Sequence, residues 1–175
     1  YRRAIQKDLK FGEAYYRLGL TELQMRRYQE AVRALRRSME LDPKNTDAHT
    51  RLADFYMLAY SMDPRHPQTL LNDVREIADG LLKADPKSFR GLRVRGMQLL
   101  LERKVKEGIE ILQAANKVQP LTREVALPLV QALIADGRDA DAENLGRVAI
   151  GKDKEFGAMY DVLYAQFLRA NQPDK

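Results

Sequence analysis

The chain has 175 residues, 45% of them hydrophobic and 31% charged, the make-up of one globular domain with a real core. It has no cysteine, no run of 18 apolar residues and no apolar stretch near Tyr1, which excludes disulfides, thiol catalysis and cysteine-based zinc sites and argues against a membrane span or a retained signal peptide. The net charge of +5 comes from 30 basic and 25 acidic residues spread along the chain, so it reads as a solvated arginine-rich surface rather than a nucleic-acid track.

The elements recur along the chain. Gly19, Ala53, Gly96, Val130 and Tyr164 stand 34, 43, 34 and 34 residues apart, and Ala4, Ser38, Leu81, Ala115 and Ala149 show the same spacings. Pro43, Pro86 and Pro120 follow at 43 and 34. The period is therefore 34 residues with one nine-residue insertion. Ala31, Val74, Gly108 and Ala142 place that insertion between Ala53 and Val74, where Ser61–Pro67 carries two helix-interrupting prolines and predicts a longer loop.

Residues 1–11 read as the second helix of a preceding unit. Residues 12–45 read as two amphipathic helices, with Ala14, Tyr15, Leu18 and Leu23 on one apolar face and Ala31, Leu35, Ser38 and Met39 on the other. Asp42-Pro43 closes the pair, because the residue before proline avoids the α region. Gly19, Ala31 and Ser38 are small where two helices must approach closely, and a bulky side chain there would cost about 1–3 kcal/mol. Further units are expected at 46–88, which carries the insertion, at 89–122 and at 123–156, and a final first helix at 157–170.

Leu18-Gly19, Tyr28, Ala31, Ser38 and Asp42-Pro43 resemble a tetratricopeptide repeat, a 34-residue helix–turn–helix unit, and the resemblance extends over nearly the whole chain. It implies an all-α, right-handed superhelical solenoid of antiparallel helix pairs. Two departures stand out. Arg95 occupies the register of Leu18, Leu52, Leu129 and Leu163, and is expected to snorkel to an edge or to meet a buried acid. Leu9 and Lys154 replace the closing proline, which predicts less sharp helix ends there. The last helix is expected to show part of an apolar face through Val162, Leu163, Phe167 and Leu168, which leaves self-association through uncapped ends open.

No catalytic constellation is present. His49 falls inside a first helix and reads as a packed, hydrogen-bonded residue; His66 beside Asp63 supplies too few ligands for zinc. No phosphate-binding glycine motif occurs, and Asp139 and Asp141 read as helix-starting residues. The expectation is a non-enzyme without cofactor or metal.

The resemblance implies that first helices line a concave groove. Residues at i, i+3 and i+7 share a stripe there: Glu13, Tyr16 and Leu20; Asp47, Thr50 and Asp54; Arg90, Arg93 and Met97; Glu124, Leu127 and Gln131; Ala158, Asp161 and Ala165. Arg17 and Arg51 stand one residue beyond. The lining is mixed and suits a peptide; Arg90 and Arg93 are the candidates to grip a carboxylate. Tyr16, Leu20 and Arg51 stand where chaperone-tail-binding repeats carry Lys and Asn, which speaks against that subtype. Arg26, Arg27, Arg33, Arg36 and Arg37 lie on outward positions with few aromatics, so nucleic acid is not expected as a partner. The expected function is a protein–protein interaction scaffold binding a peptide or protein segment, with a non-catalytic arm of a larger enzyme or of a bacterial envelope or secretion assembly as the alternative. A soluble protein, cytoplasmic or periplasmic, fits either.

Overall fold

A computed structural model describes residues 11–169. The helix expected over 1–11, with Leu9, lies outside the described residues apart from Phe11. The described residues form only helices and turns: α1 (Gly12–Gln24), α2 (Tyr28–Leu41), α3 (Thr46–Met62), α4 (Gln68–Ala84), α5 (Phe89–Leu101), α6 (Val105–Val118), α7 (Arg123–Ala135), α8 (Asp139–Lys152) and α9 (Gly157–Arg169). This is an all-α helical repeat fold. It divides within α4 into two compact units, one running to Ile77 and the other from Ala78.

In the first unit α1 packs on α2 and α2 on α3. Gly19 allows the first contact: a Cβ there would stand 2.7 Å from Leu35 Cγ. Ser38 is fully buried and donates its hydroxyl to the Gly12 carbonyl at 2.9 Å, so this small polar residue fastens the base of the pair. Asn45 caps α3 by accepting from the Ala48 amide at 3.2 Å. Arg36 of α2 binds both the Tyr56 hydroxyl of α3 (2.9 Å) and Asp73 of α4 (3.1 Å), tying three helices together.

The insertion differs from the expected loop. Its helices, α3 and α4, have 17 residues each, against 13 or 14 in the other described helices. The connection 63–67 is five residues long where 25–27 and 102–104 are three. Seven of the nine extra residues are therefore helical, and Ser61 and Met62 belong to α3. The α-helical backbone bonds continue until Asp63-Pro64, where proline first forbids them. Each helix gains about one turn, or roughly 5–6 Å.

In the second unit α5 packs on α6, α6 on α7, α7 on α8 and α8 on α9. The core runs through Ile109, Leu112, Val125, Leu129, Leu133, Met159 and Leu163. Ser88 caps α5 by accepting from the Gly91 amide at 3.3 Å. Arg95 sends its guanidinium to the edge, where it bonds Asp79 and donates to Gln98 at 3.0 Å. Asp79 is itself exposed, so the snorkelling alternative holds and no buried acid is involved.

Two expectations at helix ends are corrected. Helix α8 stops sharply despite Lys154. The Asp153 carboxylate accepts from the Glu155 amide at 3.1 Å, as Asp42 does from Lys44 and Asp85 from Lys87, so the aspartate turn ends the helix without proline. Asp139 and Asp141 do not cap α8. The N-cap is Arg138, without a side-chain cap bond, and the two acids lie in the first turn, where they offset the helix dipole while Asp141 accepts from Arg138.

Candidate binding face

The stripe residues of the first unit occupy three levels of exposure on α1 and α3. Arg17 and Arg51 are exposed, Leu20 and Asp54 half-buried, and Tyr16 and Thr50 buried. Arg17 donates to Glu13 at 2.6 Å and lies over the Tyr16 ring, 5.8 Å from its centroid. Glu13, Tyr16 and Arg17 thus form one local cluster. The Thr50 hydroxyl donates back to the Thr46 carbonyl of its own helix at 2.9 Å, so its proton is already engaged.

In the second unit Arg90 and Gln131 are exposed and Met97 is half-buried. Arg93 is buried, and its Nε lies 3.7 Å from the carboxylate of Glu124 on α7, the neighbouring first helix. The side chain of Arg93 is 10% exposed and that of Glu124 66%, so the pair joins a sunken cation to a rim acid. Arg93 faces a carboxylate from within the fold, and Arg90 is exposed. Sequence reasoning placed Glu124 on the stripe but did not pair it with Arg93. The signal was the matched position of an acid one 34-residue step after Arg90.

Four of the outward arginines of the first unit meet acids. Arg27 pairs with Glu22, Arg33 with Glu30, Arg36 with Asp73 and Arg37 with Glu40. His49 is half-buried and its Nδ1 donates to the Asn45 carbonyl at 2.9 Å. His66 has φ 44° and donates to the Tyr60 carbonyl at 2.9 Å, its ring 5.1 Å from that of Tyr60. Among the described residues no cluster of three or more His, Asp or Glu could hold a metal ion, and no helix is long and apolar enough to cross a membrane.

The last helix shows part of an apolar face, with Leu168 exposed as expected, but two of the expected residues differ. Leu163 and Phe167 are buried, not exposed. Leu163 fills the space above Gly146, where a Cβ would stand 2.9 Å from its methyl carbons, and Phe167 lies beneath Arg147 at 5.6 Å. The apolar face that α9 does show is Tyr160, Tyr164 and Leu168.

Residues 12–45 match the family model of the tetratricopeptide repeat. No curated protein matches the chain by sequence. Among solved structures, a thermophilic tetratricopeptide-repeat protein of Thermus thermophilus, TTC0263, is 18% identical and superposes with a TM-score of 0.73, over 93% of this chain and 86% of that one. MamA is 18% identical with a TM-score of 0.68, over 93% and 84%. YrrB, a tetratricopeptide-repeat protein with an unusual peptide-binding site, is 13% identical with a TM-score of 0.65, over 98% and 84%. At these identities the likeness is one of fold.

Proposed function

We propose that this chain, which carries a tetratricopeptide repeat at 12–45 within a helical repeat fold, is a protein-interaction scaffold that captures a peptide or protein segment along the stripe of its first helices. The observation that carries this reading is the alternation of exposed charge and half-buried apolar surface on those helices: Arg17 one turn before Leu20 on α1, and Arg90 two turns before Met97 on α5. Half-buried apolar side chains on the same stripe as guanidinium groups suit side chains and carboxylates of a bound segment. Buried Arg93 serves as a positioning residue that holds Glu124, and Arg90 is the group that meets the ligand's carboxylate. YrrB lends support as a protein of the same fold with a peptide-binding site.

The test begins with peptides selected from a random display library against the intact chain. Binding of the selected peptides is then measured with Leu20→Arg, Arg90→Ala and Met97→Arg. Loss of affinity of about tenfold or more, the scale of ~1.4 kcal/mol, is expected for stripe substitutions. Peptides whose affinity is unchanged by all three, or whose binding protects second helices from hydrogen exchange instead, would overturn the proposal.

A further inference from the structure

Helix α7 carries a proline in its interior. Pro128 lies beyond the first turn of Arg123–Ala135, and the helix runs on past it. Proline has no N–H, and its ring crowds the carbonyl four residues back. Here that carbonyl belongs to Glu124. Two residues earlier the helical pattern is intact, since the Thr122 carbonyl accepts from the Ala126 amide at 2.8 Å. At the corresponding place the Glu124 carbonyl meets a residue that cannot donate. Arg17, Arg51, Val94 and Val162 occupy the register of Pro128 in the other first helices, and each has its N–H.

The position of this defect on the helix matters. Glu124, Pro128 and Gln131 stand at i, i+4 and i+7 and so share one face. Glu124 and Gln131 are exposed and Pro128 is half-buried. Val125, Ala126, Leu129 and Leu133, on the other side of α7, are buried in the core. The carbonyl without its helical donor therefore lies on the stripe side of α7 and not on the packed side, where an unpaired carbonyl would be costly. Arg93 of α5 approaches the carboxylate of Glu124 at 3.7 Å, which engages the side chain of that residue and not its backbone. Proline is the poorest residue for a helix interior. A residue that works against its own helix marks a place where local stability yields to another use.

We propose that the Glu124 carbonyl, left without a helical donor by Pro128, accepts a backbone N–H of the segment captured on the stripe, and that this segment therefore binds extended. The proposal rests on the stripe reading above and names the chain geometry it selects. A helical ligand spends its backbone N–H groups on its own carbonyls, apart from those of its first turn. An extended one turns backbone N–H and C=O groups outward along its length. A carbonyl with no helical donor offers both lone pairs to such a group. Gln131, exposed one turn after Pro128, has amide donors suited to the ligand carbonyl that neighbours that N–H. Arg90 then answers the charge of the segment, and the Pro128 turn answers its backbone.

The test uses the display-selected peptides, each remade as a series with one backbone N-methyl group per position, which removes one N–H at a time. Affinities are measured on the unaltered chain and on Pro128→Ala and Pro128→Val, which both return an N–H to the Glu124 carbonyl. One N-methyl position should weaken binding to the unaltered chain about tenfold or more. Both variants should bind the unmethylated peptide about tenfold more weakly, and at that position the methyl penalty should vanish. The thermal midpoint of Pro128→Ala should rise, so that affinity falls while the fold gains. Methyl penalties that are the same on all three proteins, variants that bind as tightly as the parent, or a bound peptide that is helical by circular dichroism would overturn the proposal. A midpoint that falls with affinity in both variants would make the loss structural and overturn it too. Peptides sensitive to Leu20→Arg, Arg90→Ala or Met97→Arg but indifferent to Pro128 remove this proposal alone, whereas peptides indifferent to all of them remove the stripe reading with it.

Discussion

Gly96 lacks a side chain because Leu112 occupies its place: a Cβ there would stand 2.6 Å from Leu112 Cγ and 3.3 Å from the Leu112 amide nitrogen. Leu112 is fully buried and cannot swing aside. Gly96→Ala should therefore destabilise the fold by about 1–3 kcal/mol, although alanine is the better helix former. Leu112→Ala removes the clash but leaves a cavity, so its own cost should be about 2–5 kcal/mol. The double variant should be more stable than the sum of the single losses, which urea unfolding of all four proteins would show. Additive losses would mean that the crossing is not a tight fit.

Gly80 makes the opposite case. It lies exposed within α4, and a Cβ there meets nothing within 4 Å. Gly80→Ala should stabilise the protein by about 0.5–1 kcal/mol, mostly by restricting the unfolded chain. A thermal midpoint that does not rise would contradict this.

Three turns join a first helix to a second through one residue in the left-handed region: Arg26 (φ 58°), Arg103 (φ 64°) and Gly137 (φ 76°). In each, the next amide bonds five residues back, as Lys104 does to Leu99 and Arg138 to Leu133, both within 3.0 Å. Only Gly137 suits that φ without strain. Arg103→Gly should gain up to about 1 kcal/mol, the cost of holding a side-chain-bearing residue left-handed. Denaturant midpoints would measure it, and a loss would show that the Arg103 side chain contributes more than its backbone costs.

Arg36 donates to Tyr56 at 2.9 Å, and burial, as the larger influence, pushes the Tyr56 hydroxyl above its ordinary value while the guanidinium pulls it down. A group whose pKa is raised on folding contributes stability below its unfolded value, near 10, and loses it as pH climbs through the folded one. Tyr56→Phe should therefore cost about 0.5–1.5 kcal/mol at neutral pH and flatten the decline of stability above pH ~10. Parallel alkaline profiles of the two proteins would refute the assignment.

At the acid end, the Arg65 guanidinium and amide hold the Asp63 carboxyl down at about 2. Its contribution is present above the ordinary carboxylate range and disappears as pH falls through about 2. A carboxyl carbon titration in which Asp63 has its midpoint near that value, rising toward the ordinary range in Arg65→Ala, is the expected result. A normal midpoint in the unaltered protein would remove the Arg65 contact from the account.

Repetition made the helices legible. A 34-residue spacing repeated in small residues and prolines marks crossings and ends at once, since helix approach tolerates only small volume and proline only the end of a hydrogen-bonded run. The substitution of Asp153 for the proline rule was less visible, because two different residue types can close the same turn. The nine inserted residues were visible as a number but not as mostly helix. Prolines at 64 and 67 stop a helix without saying how far it runs before them.

The binding stripe divides in the same way. Spacing on a 3.6-residue helix places Tyr16, Thr50 and Arg93 on the same face as Leu20, Asp54 and Arg90. It does not say that the first three are buried, because burial depends on the neighbouring helix, and for Arg93 on the 3.7 Å approach of Glu124. The order of elements and the small residues at the Gly19 and Gly96 crossings were thus written in this chain's residues, since both are local properties of volume and hydrogen bonding. Which stripe residues face solvent, where Arg95 finds its acid, and that Tyr160 and Tyr164 rather than Leu163 and Phe167 stand open were decided only when helices distant in sequence came into contact.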